Sequence, residues 1–518
     1  MNKLVVKETK EAGYIHPELH SQFIEFLGTC IYDGLWVGED SEIPNYHGMR
    51  KSAVDALKEL EPPVIRWPGG CYADTYHWRD GIGPRDKRPV TYNENFATFT
   101  VDHNEFGTHE FMELCGMVGA KPWININLLS GTVGEMKEWM EYCNRREETS
   151  LSRERAANGS PEPFAIEYWG IGNECWNGGG RLTAESYAQE YRKFVTAMPL
   201  FDTRLPEGER PYTMKRIASG PDGNKPRERV RWTEEFFRNM AQYRQPPVDA
   251  YDLHFYNWCV KTPEERAELF NREDWYRVID SCLVLEDVIQ EQYKLIQEGL
   301  KKYPASEGFM KHPAPTCDLV VGEWGNWYRS SFEVRPALYQ QCTMRDAITS
   351  ALTLDIFHRN CNMVKMACVA QTINVLNSLI LTDGEKFLRT PNFDVFMMYK
   401  VHRGAKAVEL NLCQDYGRLH TFASRKNDRI YVNIVNADMD KESELSICFE
   451  ENTKPVQVTV LAADAPDACN TFDMPDRVRA KAGRLPEKKE DTYRIKLPAA
   501  SVSVCEFQII MEVDLNRR

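Results

Sequence analysis

The chain has 518 residues, too many for one small core and enough for a large catalytic domain with a second beside it. A hydrophobic fraction of 42% and an aromatic fraction of 11% give a packed globular protein. With 77 acidic against 64 basic residues, the net charge of −13 argues against a nucleic-acid partner, because phosphates demand a basic face.

The N-terminal "MNKLVVKETKEAG" breaks into charge after three apolar residues and lacks the apolar core of a secretion signal. Residues 1–19, with "KLVVKE", read as a strand that joins a β region at the other end of the chain. From 20 to 385 short apolar runs alternate with amphipathic stretches. The runs are Phe23–Gly28, Val64–Trp67, Lys121–Leu128, Ala165–Gly172, Tyr212–Ser219, Tyr251–Tyr256, Leu319–Glu323 and Met363–Val369. Between them "SAVDALKEL", "EFMELCGMVG", "EMKEWMEYC", "TAESYAQEYRKFV" and "LYQQCTMRDAITSALTLDIF" place apolar residues at helical spacing. Eight strands alternating with helices predict a closed (β/α)8 TIM barrel. An open doubly wound sheet is the alternative, but "FLGTCIYDG" is a poor match to its phosphate loop. The charged stretch 144–163 and the segment 259–317 read as loop elaborations, the second with a helix over "EDVIQEQYKLIQEGL".

Residues 386–518 change character. "RIYVNIVNAD", "VQVTVLAA", "TYRIKL" and "SVSVCEFQII" alternate in the strand pattern without long helices between them. They predict an all-β sandwich, jelly-roll-like, completed by the N-terminal strand.

No run reaches the ~18 apolar residues of a membrane span. The 15 cysteines are scattered, odd in number and never form a CxxC pair, which suits reduced thiols in the cytoplasm. No metal-ligand spacing and no cofactor motif occurs, so neither a metal nor a cofactor is expected.

In such a barrel the C-terminal ends of the strands form the active site. Those ends carry Glu25, Arg66, Asn125 and Asn127, Asn173-Glu174, His254 and Tyr256, Glu323, and finally Gln371 and Asn374. Trp67, Trp176, Trp258, Trp324 and Trp327 stand beside them. Amides and carboxylates fix sugar hydroxyls, and aromatic faces stack on sugar C–H faces. Two carboxylates, one to protonate the departing oxygen and one to meet the charge at the anomeric carbon, suit glycosidic cleavage. Taken singly, Arg66 could be a structural ion-pair partner, His254 a buried hydrogen-bonded histidine and Cys71 a small buried thiol. The argument rests on their falling together at one end of successive strands.

"IEFLGTCIYDGLWVGEDS", "RWPGGCYADTYHWRDGIGPRDKRP", "FGTHEFMELC", "YWGIGNE", "VVGEWGNWY", "AQTINVL" and "LRTPNFDVFMMYKVHRGAK" closely resemble the α-L-arabinofuranosidases of glycoside hydrolase family 51. The matches run in order from about residue 20 to 410. The resemblance implies a barrel joined to a β-sandwich, and a retaining, exo-acting hydrolase that releases terminal L-arabinofuranose. It implies an intracellular homo-oligomer, a hexamer or trimer. It puts the acid/base at Glu174 and the nucleophile at Glu323. Glu25, Asn173, Tyr256 and Gln371 fall on positions that contact arabinose, and Arg66, Cys71 and His254 complete the expected binding set. Cys71 and Phe26 depart from the common Asn and His, which puts one hydroxyl contact and the pocket floor or rim in question. Competing readings are β-xylosidase or endoglucanase activity on the same barrel, or a non-catalytic sugar-binding protein.

Overall fold

A computed structural model of the chain describes residues 3–510 except 200, 202–212, 243–247, 260–265, 304–314, 335 and 413–416. Eight parallel strands close into a barrel in chain order: Ser21–Phe23, Val64–Trp67, Lys121–Ile126, Tyr168–Ile171, Lys215–Asp222, Ala250–Cys259, Asp318–Tyr328 and Val364–Val369. The last pairs with the first through Cys368 and Ser21, which removes any open edge.

Several elements differ from the sequence reading; the seventh strand, for one, runs past Glu323 to Tyr328. The first strand ends at Phe23 rather than Gly28, because the chain turns sharply at Glu25: Leu27 N–H donates to the Glu25 carbonyl at 2.8 Å. Glu25 is thereby lifted off the sheet edge into the barrel mouth. The fifth strand begins at Lys215, and the earlier part of its expected run, including Tyr212, lies outside the described residues. The helix in the 259–317 segment starts at Arg272 rather than Glu286. Trp275, Val278, Ile279, Cys282 and Leu285 continue its buried stripe, and the Asn271 side chain caps its first turn by accepting from Asp274 N–H.

The other helices follow their patterns. In Lys51–Leu60 the buried residues are Ala53, Val54, Ala56, Leu57 and Leu60, one face at three- and four-residue spacing. The charged stretch after residue 144 contains a short helix, Ser150–Ala157, capped by Thr149. Helix Met344–Arg359 is buried on every side from Met344 to His358. It packs on the barrel through one face and on the C-terminal sheet through the other.

That sheet has ten strands, and the N-terminal strand Lys3–Tyr14 lies inside it. It runs antiparallel to Lys406–Leu412 and parallel to Ser443–Phe449. The sheet curls over on itself. Phe507, on the strand Ser501–Ile509 near one end, meets Phe449 at 4.6 Å and Tyr493 at 5.3 Å between ring centroids, both on strands near the other end. Leu4, Val6, Ile430, Val432, Ile434 and Ile447 fill the space between, so the predicted sandwich is formed by one coiled sheet. A helix, Pro391–Tyr399, precedes its first C-terminal strand.

Candidate active site

The fourth and seventh strands deliver two carboxylates to the barrel mouth. Glu174 follows Ile171 by three residues and sits at φ +41°, a conformation that L residues seldom adopt. The glycines after it let the loop fold back, since a Cβ at Gly179 would lie 1.9 Å from the Asn173 carbonyl oxygen. Glu323 stands within its strand and points into the mouth. Oxygens of the two carboxylates and Nδ1 of His254 all lie within 4.8 Å of one another. The glycines of "WPGG" keep the floor open: a Cβ at Gly69 would be 2.8 Å from Glu25 Oε1, and one at Gly70 would be 3.0 Å from Glu323 Oε1.

Both oxygens of Glu323 are held. Arg66 Nη1 donates to Oε1 at 2.8 Å, and the Tyr256 hydroxyl donates to Oε2 at 2.7 Å. Arg66 is fully buried, stacks over Phe23 and Trp123, and also donates to the Gly322 carbonyl and to Asn173 Oδ1. It is therefore both an internal ion-pair partner and the residue that orients Glu323 and Asn173.

His254 Nδ1 lies 2.9 Å from Glu174 Oε1 and 3.5 Å from Glu323 Oε2, while Nε2 lies 3.0 Å from Asp252 Oδ2. Burial works against the imidazolium, but the charges of Glu323 and Asp252 outweigh it and lift the His254 pKa to about 10. Glu174 is raised above the ordinary carboxylate value, by burial first and by the Glu323 charge next, with the His254 hydrogen bond opposing. Glu25 accepts from Tyr72 N–H, from Asn95 and from Gln371 Nε2 at 2.6 Å. Burial and Glu323 raise its pKa to about 7.

Among the buried polar atoms without a protein partner, Asn173 Nδ2 and Gln371 Oε1 belong to residues held by Arg66 and Glu25 in this mouth, whereas Asn125 Oδ1 packs against Gly170 on the next strand. An unsatisfied buried donor or acceptor costs free energy, and a bound polyol relieves it. Cys71 is half-buried and forms one wall of a cavity of about 360 Å³ with Tyr72, Tyr76, Asn93 and Asn95. Burial and the surrounding charges of Glu174, Glu25 and Glu323 raise its thiol pKa well above normal. Phe26 is buried against Tyr72 and Tyr76, supporting that cavity from below.

Several expected neighbours have other duties. Trp67 packs against Phe111, and Trp324 packs against Phe357 and Phe396; both are core, not sugar platforms. Trp258 and Trp327 do reach the rim, stacked at 4.8 Å, with Phe96 and Phe332 beside Trp327. Asn127 caps its own loop through Ser130 and Gly131, and Asn374 ties Thr29 to Thr382. Asp252 and Asn95 escaped the sequence reading. Asp252 was within reach of it, because Asp252, His254 and Tyr256 alternate along one strand onto one face. Asn95 comes from a hairpin between strands, and nothing local marks it.

A closed parallel barrel with two facing carboxylates, a buried arginine and unsatisfied amides at its C-terminal mouth has the layout of a carbohydrate hydrolase. Comparison with known proteins is specific. Residues 56–274 match the model of the alpha-L-arabinofuranosidase 1 domain, and residues 322–501 match that of the alpha-L-arabinofuranosidase C-terminal domain. The chain is 35% identical to an intracellular exo-alpha-L-arabinofuranosidase of Bacteroides ovatus over 95% of its own length and 93% of that protein's. It is 30% identical to the probable alpha-L-arabinofuranosidase C of Aspergillus fumigatus, with 90% of each chain covered. The fold superposes on the crystal structure of a GH51 arabinofuranosidase from Xanthomonas axonopodis pv. citri with TM-score 0.87 and 32% identity, covering 98% and 100% of the two chains. A Thermotoga maritima alpha-L-arabinofuranosidase, solved with arabinose, gives TM-score 0.81 at 26% identity, covering 98% and 100% of the two chains. The chain belongs to the α-L-arabinofuranosidases of glycoside hydrolase family 51.

Proposed function

We propose that the chain is a retaining, exo-acting α-L-arabinofuranosidase, with Glu323 as nucleophile and Glu174 as acid/base. The observation that carries this reading is the Glu174–Glu323 pair, whose oxygens approach within 4.8 Å. An approach this close is compatible with direct attack by one carboxylate while the other protonates the leaving oxygen.

The geometry supports this division of roles. Arg66 and Tyr256 hold Glu323 fixed in orientation, so one oxygen faces the anomeric carbon without searching rotamers. Burial keeps Glu174 protonated to a higher pH than a free glutamate, as an acid for the leaving oxygen requires. Attack expels the leaving group as Glu174 gives up its proton, and an arabinosyl ester of Glu323 remains. Loss of the Glu323 charge then lowers the Glu174 pKa, and the carboxylate takes a proton from water as that water attacks the ester. Asn173 and Gln371 offer their unpartnered atoms to sugar hydroxyls, and Glu25 accepts from those hydroxyls. Residues 20–385 supply this centre, and residues 1–19 with 386–518 supply the sandwich.

Initial rates on aryl α-L-arabinofuranoside, aryl β-xyloside and carboxymethyl cellulose test the proposal. Hydrolysis of the arabinoside well above the other two is expected, and preference for either competitor overturns it. We also place the enzyme in the cytoplasm as a homo-oligomer, a trimer or hexamer. Described cysteines such as Cys30, Cys71, Cys115 and Cys143 carry free thiols, which suits a reducing compartment. Light scattering on the purified enzyme reads the oligomer, and a monomer contradicts that part.

A further inference from the structure

Three side chains at the barrel mouth form more than an acid–nucleophile pair. His254 Nδ1, a Glu174 oxygen and a Glu323 oxygen make a compact one-nitrogen, two-oxygen set, all within 4.8 Å of one another. The opposite nitrogen of the same imidazole meets Asp252 at 3.0 Å, and Asp252 is itself fixed by the Gly322 N–H at 2.6 Å. A histidine whose far nitrogen is held by a carboxylate, leaving the near one to face two further carboxylates, is the arrangement by which metal-binding histidines are oriented. Five carboxylates (Glu25, Glu174, Asp222, Asp252 and Glu323) gather around this point, against Arg66 and the imidazole of His254.

We propose that this centre is also an inhibitory site for a divalent transition metal such as Zn²⁺, held by His254 Nδ1, Glu174 and Glu323, with a water in the fourth position. The proposal rests on the reading that Glu174 and Glu323 are the catalytic pair. Zn²⁺ bonds of about 2.0–2.1 Å in a tetrahedron set ligand atoms about 3.3 Å apart. Two of the three separations bracket that value, 2.9 Å from His254 to Glu174 and 3.5 Å from His254 to Glu323. The third closes by at most about 1.5 Å from its 4.8 Å bound, a small swing of the Glu174 side chain, the most exposed of the three. Binding requires the imidazole to release its Nδ1 proton to solvent and the Tyr256 hydroxyl to yield or share Glu323 Oε2. Arg66, on the other oxygen of Glu323, opposes the cation and keeps the site weaker than a dedicated zinc centre. A metal so held occupies both carboxylates and the place of the anomeric carbon, so it excludes the sugar without being needed for turnover.

The test has two arms. The first measures initial rates on 4-nitrophenyl α-L-arabinofuranoside against Zn²⁺ in a non-coordinating buffer. The second titrates Zn²⁺ calorimetrically into the wild type, Glu174→Gln and His254→Gln, with and without saturating arabinose, after circular dichroism has established that each variant is folded. Competitive inhibition, full reversal by EDTA, and affinity reduced about tenfold or more in both variants are expected. Arabinose should displace the metal. Non-competitive or absent inhibition at millimolar Zn²⁺, or isotherms unchanged in both variants, overturns the proposal. Weakened Zn²⁺ binding in both variants with no effect of arabinose upholds the metal site and counts instead against the sugar reading. Zinc on exposed pairs such as His47 with Glu113 adds heat that neither variant removes, and a signal made wholly of such heat also overturns the proposal.

Discussion

Replacing His254 with Phe fills the same space and removes one cation from beside the acid. In the wild type the imidazolium holds Glu174 down through a 2.9 Å hydrogen bond and through its charge. A hydrogen bond to a charged group is worth about 1.5–3 kcal/mol, and each pKa unit is about 1.4 kcal/mol. Losing it therefore raises the Glu174 pKa, and the unpaired Asp252 charge pushes the same way. The basic limb of kcat/KM, which reports ionisation of the acid in the free enzyme, moves to higher pH. The substrate must carry a poor leaving group, such as an arabino-oligosaccharide, so that protonation stays essential. The profile reads the limb even if the variant is slow, and a melting curve checks that it is folded. A limb that stays in place, or moves to lower pH, refutes the claim that His254 acts on Glu174 as a cation.

Glu174→Ala should lose about 10²–10⁴-fold on natural arabinosides but far less in the first step with a dinitrophenyl leaving group, which departs without a proton. Azide should then restore turnover with retained configuration, whereas Glu323→Ala stays dead at the first step on both substrates; the opposite pattern reverses the assignment. A bulky thiol reagent should inactivate the enzyme through Cys71, slowly at neutral pH because its thiol is held protonated, and saturating arabinose should protect. Unprotected labelling spread evenly over the cysteines removes Cys71 from the pocket wall. At the junction of barrel and sandwich, His20, His358 and His402 are buried together, and burial lowers the pKa of His402 from 6.5 to about 4. The unfolded chain takes up protons there before the folded one does, so stability falls as pH drops from about 6.5 toward 4. Asp355 beside them is raised by burial to about 7 and opposes this, because the folded form binds its proton first. Asp355→Asn should therefore steepen the loss of melting temperature between pH 7 and 5, and an unchanged slope contradicts the linkage.

Barrel and site were largely legible because each signal was local. The fourth strand ran into the polar pair Asn173-Glu174, and "WPGG" and "NECWNGGG" put glycine where carboxylates or backbone crowd. The parts that escaped were set by distant packing. Glu25 owes its position to a turn that breaks the expected first strand, and Asn95 reaches it from a hairpin between strands. Trp67 and Trp324 read as sugar platforms because a rim tryptophan and a core tryptophan look alike until the helix packed behind each is known. The helix from Arg272 was shortened because its first half lies in a stretch that reads as loop.

The central claim is a covalent double displacement between Glu174 and Glu323. Proton NMR of the first arabinose released, read before mutarotation, tests it most directly. Initial release of the α-anomer from an α-arabinofuranoside is the expected result. Initial release of the β-anomer means that water attacked directly, and it contradicts the account.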